Sequence, residues 1–362
     1  MKEDEYTTDN EALKQSYRSS VRRKIIFIIV CVVIAVISLS VSLTVGTWDV
    51  GFFEAYQIIW DRITGVELEP HSVEWLTSMV VWDYRLPITL FAAFAGAGLA
   101  VAGVTMQSVM KNPLADPYTT GISSGACFGV AVAMVMGFSL SGQAGTYGFF
   151  LNAFVFALIP MALIIVLSPL SKSSPATLIL AGVAISYLFN ALNTFLMVTT
   201  DAETLSEVYR WQVGSLAGMS WSGFYIMVAI TIPGVTAISL ISKKLNIMAL
   251  GDTQAKSLGL DVNSMRILCL LIMSLMVASI VAFAGIIGFI GLISPHIVRM
   301  IIGSDNKFVI PAAAAFGAAF LMVADIISRS VTTTSVPVGV VISFIGAPIF
   351  LYLIIKQRRT MW

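Results

Sequence analysis

Residues 86–106 read LPITLFAAFAGAGLAVAGVTM, a run of 21 residues without an acidic or basic side chain. A membrane-spanning helix needs about 20 predominantly apolar residues, because each residue adds about 1.5 Å along the axis and the hydrocarbon core is about 30 Å thick. The glycines at 96, 98 and 103 are typical of closely packed membrane helices. The stretch therefore predicts a helix that crosses a lipid bilayer.

Comparable apolar stretches recur along the chain. They cover residues 25–45, 118–137, 149–168, 177–198, 223–241, 267–284, 286–302, 308–327 and 338–355. The runs are continuous and lack the alternation of a lipid-facing barrel strand, so they predict helices. The stretch 286–302 is short, and Ser294-Pro295-His296 is expected to break it. The sequence predicts an all-α polytopic membrane protein with about ten transmembrane helices.

Composition agrees with this fold class. Hydrophobic residues make up 57% of the chain and charged residues 11%, whereas an ordinary soluble domain carries about 25% charged residues. Too few charges remain to cover a water-facing surface. The net charge of +1 indicates no nucleic-acid partner. Cys31, Cys127 and Cys269 lie far apart in apolar runs, which predicts neither a disulfide framework nor a metal site.

The charges predict the topology. Residues 1–24 form a cytoplasmic tail, 25–355 the transmembrane domain and 356–362 a second cytoplasmic tail. With both termini inside, 17 of the 21 Lys and Arg residues lie on the inner side, and only Arg62, Arg85, Arg210 and Arg329 on the outer. This is the distribution of the positive-inside rule. The outer segment 46–85 is acidic and aromatic, which favours short helices at the membrane interface.

The chain lacks the residues that would supply its own energy. No phosphate-binding loop of the form G-x-x-x-x-G-K-[ST] is present, so the chain is predicted not to hydrolyse nucleotide itself and to bind no cofactor. The spans hold essentially no mid-membrane carboxylates, which weighs against an ion-coupled carrier and a charged-ring channel. An ATP-independent secondary carrier or channel remains the alternative.

The inner loop at 246–260 has helix signals of its own. Asp252 can cap a helix that carries Ala255 and Leu258, and Gly259 can end it. Two short helices joined at a glycine would form a rigid cytoplasmic knob on which another protein could dock. A solvated loop with an incidental helix is the alternative.

Several ordered motifs resemble those of the FecCD/BtuC-type permeases, the membrane subunits of type II ABC importers for iron-siderophores, haem and vitamin B12. The motifs are YRLP (84–87), GVTMQ (103–107), KNPLADP (111–117), GISSGA (121–126), LAGVA (180–184), WQVGSL (211–216), GFIGLISPHIVR (288–299), ADIISR (324–329), PVGVV (337–341) and GAP (346–348). They run in family order from about residue 84 to 355. The first 80 residues match only in layout.

The resemblance implies the assembly. In this family the permease pairs with a second copy of itself or a close paralogue in a prokaryotic plasma membrane. Two ABC ATPase subunits, which use ATP and Mg²⁺, sit beneath the pair, and a substrate-binding protein docks outside. The resemblance then makes 246–260 the coupling helices, with Asp252, Ala255, Leu258 and Gly259 as ATPase contacts. A zinc- or manganese-type ABC permease would predict a smaller chain and a different span pattern.

The resemblance also implies other site residues. Arg85 and Arg329 match the arginines that receive glutamates of the binding protein, although Ile88 replaces an arginine found in many relatives. Asn190, Asn193 and Thr194 of the fifth span would line the translocation path, with interhelical hydrogen bonding as the alternative. Ser174 and Thr177 occupy the region of the cytoplasmic gate. His296 has no second metal ligand beside it in sequence and is expected to make a structural hydrogen bond.

Overall fold

The computed structural model describes residues 2–142, 146–167, 175–331 and 336–357, and these ranges contain helices and no β-strand. This confirms the all-α fold class. The α-helices are α1 (Lys2–Thr44), α2 (Phe52–Thr64), α3 (Val73–Met79), α4 (Leu86–Met110), α5 (Ile122–Met136), α6 (Thr146–Leu167), α7 (Pro175–Val198), α8 (Ala202–Gln212), α9 (Trp221–Leu240), α10 (Ser242–Ala249), α11 (Asp252–Ser257), α12 (Val262–Ala284), α13 (Ile290–Ile302), α14 (Asn306–Ser330) and α15 (Val338–Gln357).

Within the described ranges, eight helices are long and apolar enough to cross a membrane, and α5 and α13 are shorter apolar helices. Together they account for the ten predicted stretches. The helix of the first stretch begins much earlier than residue 25. α1 runs without a break from Lys2. No proline or glycine interrupts residues 2–24, so nothing in the backbone stops the helix there.

The second span also extends beyond its predicted start. A π-helical segment, Val80–Arg85, joins α3 to α4, so that one continuous helix covers Val73–Met110. The predicted span begins at Leu86, next to Pro87, which lacks an N–H. In the π segment the backbone hydrogen bonds join residues five apart instead of four, and the Leu86 N–H donates to the Val81 carbonyl oxygen. The helix therefore passes through this position.

The predicted break in the eighth stretch is wrong in its position. The chain breaks at 285–289, where Gly285 has φ +69° and Phe289 has φ +66°, and α13 then runs through Pro295. Pro295 removes only the hydrogen bond to the Gly291 carbonyl. Packing of α13 against α4 holds the helix together across this gap.

Two glycine contacts bring α4 close to its neighbours. A Cβ atom on Gly96 would lie 2.2 Å from the carbonyl oxygen of Gly317 in α14, and one on Gly103 would lie 1.8 Å from that of Gly291 in α13. α4 also contacts α9 and α12. It is therefore the central helix, and only glycine permits this separation.

The two ends of the bundle differ in character. We call the end with Arg85, Arg329 and Thr44 the arginine end, and the end with α10 and α11 the knob end. α4 runs from the arginine end to the knob end, and α14 runs back. α7 and α15 carry large exposed apolar side chains such as Tyr187 and Phe344 on the bundle's periphery. Such surfaces suit lipid or a second membrane helix.

Candidate functional site

The knob is formed by α10 and α11, which meet at Gly251. Gly251 has φ +120°, a conformation that side chains rarely adopt. α11 ends in a Schellman motif: the Gly259 N–H donates to the Lys256 carbonyl (2.9 Å) and the Leu260 N–H to the Ala255 carbonyl (3.0 Å), with φ +82° at Gly259. The expected pair of short helices joined at a glycine is thus present, and both junctions have defined backbone geometry.

The prediction that Asp252 caps α11 is wrong. Asp252 is the first helical residue, and Gly251 occupies the capping position without a side-chain bond. The Asp252 carboxylate instead accepts hydrogen bonds from Arg266 of α12 at 2.9 and 3.0 Å and lies 2.5 Å from the ammonium of Lys111, just after α4. Two cations from outside the loop therefore attract this side chain away from its own backbone.

Neighbouring positive charges govern the ionisation of the Asp252 carboxyl group. Burial alone would raise the pKa of Asp252, but hydrogen bonds and charge attraction from Lys111 and Arg266 outweigh burial and hold the pKa below its usual range. The Arg266 side chain is only 2% exposed, whereas that of Asp252 is 32% exposed. Asp252 is thus the anion that compensates a buried guanidinium.

A second polar link fastens α10 to the bundle. The Asn246 amide donates to Asp305 Oδ1 at 2.8 Å, and the Asn306 N–H donates to Asn246 Oδ1 at 2.8 Å. The buried Asn306 amide in turn donates to Ser108 Oγ of α4 at 3.2 Å. The knob is consequently anchored to the ends of α4, α12 and α14.

The candidate coupling residues divide between two faces. Ala255 is fully buried against the bundle, whereas Leu258 is 62% exposed. Gly259 contributes its backbone conformation to the end of α11. The geometry therefore offers Leu258 as the contact for a partner, while Ala255, Asp252 and Gly259 hold the knob in shape.

A cavity of about 440 Å³ opens at the arginine end, and Arg85 and Arg329 both line it. Arg85 is buried and donates to the carbonyl oxygens of Leu43 (2.8 Å), Thr44 (3.0 Å) and Trp48 (2.5 Å). It thus satisfies carbonyls at the end of α1, where intrahelical partners are missing. Docking of a substrate-binding protein on Arg85 stays a prediction. The guanidinium of Arg85 already donates to three backbone carbonyl oxygens.

Arg329 has a different environment in the same cavity. It lies 2.6 Å from the buried Asp325 carboxylate, four residues earlier in α14, and also donates to Ser42 Oγ. It also donates to the Ser42 and Val45 carbonyl oxygens at 3.2 and 3.3 Å. Its side chain is 15% exposed, whereas Arg85 is buried. Arg329 is therefore the more accessible of the two predicted docking arginines.

The roles of the two arginines can be separated by substitution. Arg85→Met should lower the thermal unfolding midpoint, because three backbone carbonyls lose a charged donor and hydrogen bonds to charged groups are worth about 1.5–3 kcal/mol. The double variant Asp325→Asn/Arg329→Met should change the midpoint less, because no buried charge is left without its partner and the backbone carbonyls that Arg329 reaches, those of Ser42 and Val45, lie farther away at 3.2 and 3.3 Å. Thermal unfolding in detergent measures both. Equal losses would contradict the structural role assigned to Arg85.

The predicted path residues do not share one environment. Asn193 is buried and donates to Cys127 Sγ at 3.3 Å, whereas Asn190 and Thr194 lie on the exposed side of α7. Asn193 is three residues from Asn190, which turns it by about 60° into the packed face. Asn193 thus makes an interhelical hydrogen bond, and the lining of the path by Asn190, Asn193 and Thr194 stays a prediction.

The remaining predicted residues are placed as follows. Ser174 lies outside the described residues, and Thr177 is exposed in the first turn of α7. His296 is buried in α13. Within the described ranges, no cluster of three or more His, Cys, Asp or Glu residues could hold a metal ion.

Comparison with known proteins now decides the family. Residues 30–356 match the model of the FecCD transport family. The chain belongs to the FecCD transport family. A relative from Methanocaldococcus jannaschii, described as an ABC transporter permease protein, is 37% identical over 356 residues, covering 96% of this chain and 99% of the relative. The hemin transport system permease HmuU of Yersinia pestis is 38% identical over 77% of this chain and 84% of its own length.

Other FecCD relatives have different stated cargoes. The cobalamin import permease BtuC of Halobacterium salinarum is 36% identical over 76% of this chain and 73% of its own length. A solved inward-facing ABC transporter assigned to the metal-chelate type superposes with a TM-score of 0.79 at 29% identity, covering 91% of this chain and 98% of that one. The protein is therefore a multi-pass ABC importer permease, and the relatives it matches are transport permeases.

Sequence reasoning missed three of the residues that hold the knob. Lys111, Arg266 and Asn246 were not assigned a role, although Lys111 and Arg266 each had a detectable signal. Lys111 opens the KNPLADP motif, and Arg266 is a cation at the start of an apolar run. A charge in that position requires a partner, but only the fold shows that the partner is Asp252.

Proposed function

We propose that this FecCD permease is the membrane subunit of an importer that takes up a metal chelate, with an iron-siderophore as the first candidate and haem or cobalamin as the others. Two ABC ATPase subunits bind at the knob end, and ATP binding and hydrolysis there switch the pore by alternating access. Two permease chains, identical or paralogous, enclose the path. The observation that carries the proposal is the knob, which is anchored to three helices but presents Leu258 outward.

The orientation follows from the charge distribution. The knob end is cytoplasmic together with both chain termini, because that side collects 17 of the 21 Lys and Arg residues. The arginine end then faces outward in a prokaryotic plasma membrane. A substrate-binding protein docks there through Arg329, with Arg85 holding the surface beneath it. Exposed apolar faces of α7 and α15 are available for the second permease chain.

A pull-down with a matched pair of variants tests the ATPase partner. The tagged chain, extracted from its native membrane in mild detergent, should retain an ATPase subunit near one-to-one by mass spectrometry. Leu258→Asp should lose that subunit, because it places a charge at the exposed centre of the knob. Leu140→Asp is the control, since Leu140 is 45% exposed in the loop at the opposite end.

The outcomes separate the two candidate functions. Equal recovery of the ATPase with both variants would exclude Leu258 from the contact. Elution of the parent chain without an ATPase, where a control ABC complex stays intact, would favour the ATP-independent carrier. A binding protein that co-elutes can be screened against iron-siderophores, haem and cobalamin, and binding of none of them would exclude the proposed cargoes.

A further inference from the structure

Four large side chains of α2 form an exposed face. Phe53, Tyr56, Trp60 and Ile63 are 84%, 40%, 66% and 65% exposed. Their spacing of three, four and three residues places them on one side of the helix. We call these four residues the aromatic face of α2. A face of this size exposed to water would be costly, because burying each such side chain is worth about 1.5–3 kcal/mol.

The opposite side of α2 is packed, so the aromatic face cannot simply turn inward. Ala55 is fully buried, and Ile58 and Ile59 pack on a small core that includes Leu43 and Val81. Both ends of the helix are capped: the Gly51 N–H donates to Glu54 Oε2 at 2.9 Å, and Gly65 has φ +78°.

A hydrogen bond gives the depth of α2 along the bundle. Tyr56 Oη and Ser40 Oγ share a bond of 2.5 Å. Ser40 lies four residues before the end of α1 at Thr44, which is about 6 Å along the helix axis. The neighbouring Ile37 and Val41 of α1 are exposed apolar residues on a helix that spans the membrane. α2 therefore lies beside the lipid-facing surface of α1, near the level where that span ends.

We propose that α2 is an interfacial anchor whose aromatic face inserts into phospholipid at the headgroup–acyl boundary of the leaflet at the arginine end. Tryptophan and tyrosine favour this layer, and amphipathic helices lie in its plane with their apolar face in lipid. The polar Glu54 and Gln57 lie on the flank toward water. The occupant is lipid, because the aromatic face continues the apolar surface of α1.

Anchoring of α2 has a consequence for the cavity at the arginine end. α2 packs on the π-helical segment that leads into Arg85. Arg85 donates to the Trp48 carbonyl, and the Trp48 indole N–H donates to Thr77 Oγ1 at 3.2 Å. Lipid contact with α2 thus steadies the wall of the cavity relative to the membrane plane. This inference requires neither the ATPase nor the cargo of the proposed importer.

Spin labelling of the full-length chain in nanodiscs tests the anchor. In each variant a single cysteine replaces Phe53, Trp60 or Ile63 on the aromatic face. The control variants carry the cysteine in place of Glu54 or Gln57 on the polar flank. The native Cys31, Cys127 and Cys269 are all buried. The nanodiscs contain palmitoyl-oleoyl phosphatidylethanolamine and phosphatidylglycerol. The measured quantity is the spin label's collision rate with oxygen divided by its collision rate with a water-soluble nickel chelate. This ratio should be several-fold higher for labels at 53, 60 and 63 than for labels at 54 and 57.

Two results would overturn the anchor. Equal, water-like collision ratios on both sides of α2 would place the aromatic face in solvent. Low collision with both reagents at 53, 60 and 63 would show that protein covers the face. A second measurement uses no cysteine: brominated lipid should quench the parent chain more than Trp60→Phe, and equal quenching would contradict insertion of Trp60.

Discussion

Gly103→Ala is expected to destabilise the folded permease by about 3 kcal/mol or more, at the upper end for overpacked cores. The new Cβ would lie 1.8 Å from the carbonyl oxygen of Gly291 and 2.5 Å from its carbonyl carbon. Both are backbone atoms, so no rotamer change relieves the clash, and α4 and α13 must separate. Because Pro295 has no N–H, the Gly291 carbonyl also lacks its helical hydrogen-bond donor.

The measurement is thermal unfolding in detergent, followed by size-exclusion chromatography with fluorescence detection. Gly288→Ala is the matched control, since a Cβ there meets no atom within 4 Å and the backbone is not in the left-handed region. We expect a midpoint several degrees lower for Gly103→Ala and little change for Gly288→Ala. Similar midpoints for the two variants would mean that the α4–α13 contact can open without cost.

Asp252→Ala is expected to cost about 3 kcal/mol, at the lower end for breaking a buried ion pair. The variant leaves the guanidinium of Arg266, 2% exposed, without its carboxylate, while the partial exposure of Asp252 allows water to compensate in part. Asp261→Ala is the control in the same region. Asp261 is an exposed N-cap of α12 that accepts hydrogen bonds from the Asn263 and Ser264 N–H groups, so its loss should lower the stability less than the loss of Asp252.

The double variant Asp252→Ala/Arg266→Met tests the cause of this loss. Removing both charges should recover part of the stability, because the buried guanidinium that lost the Asp252 carboxylate is itself removed from the bundle. If the double variant is less stable than Asp252→Ala alone, the buried charge is not the source of the cost. Urea or thermal unfolding of the four proteins under one condition gives the comparison.

The pH dependence of the Asp252 effect has a defined sign. The pKa of Asp252 is lowered in the folded protein, so its carboxylate stabilises the fold at pH values above the unfolded pKa of about 3.9. This contribution is lost as the pH falls through the folded pKa. The difference in stability between the parent and Asp252→Ala should therefore be constant above about pH 5 and shrink below about pH 4.

The predictability of the site differed from residue to residue. Local signals within 246–260, including Gly259 as a helix end, were sufficient for the two knob helices, because their backbone requirements are local. The role of Asp252 was not predictable in this way. A carboxylate at a helix start usually caps its own backbone, and here Lys111 and Arg266, more than a hundred residues apart in sequence, attract it instead.

The amino-acid sequence by itself determined the membrane class and the apolar stretches, because each depends on composition over a window of about 20 residues. Tertiary structure alone decided which glycines set helix separations, which face of α7 is packed, and which buried cation each carboxylate neutralises. These properties depend on atoms distant in sequence that meet within a few ångströms. The knob is the clearest case: its helices are encoded locally, and its attachment to α4, α12 and α14 exists only in the fold.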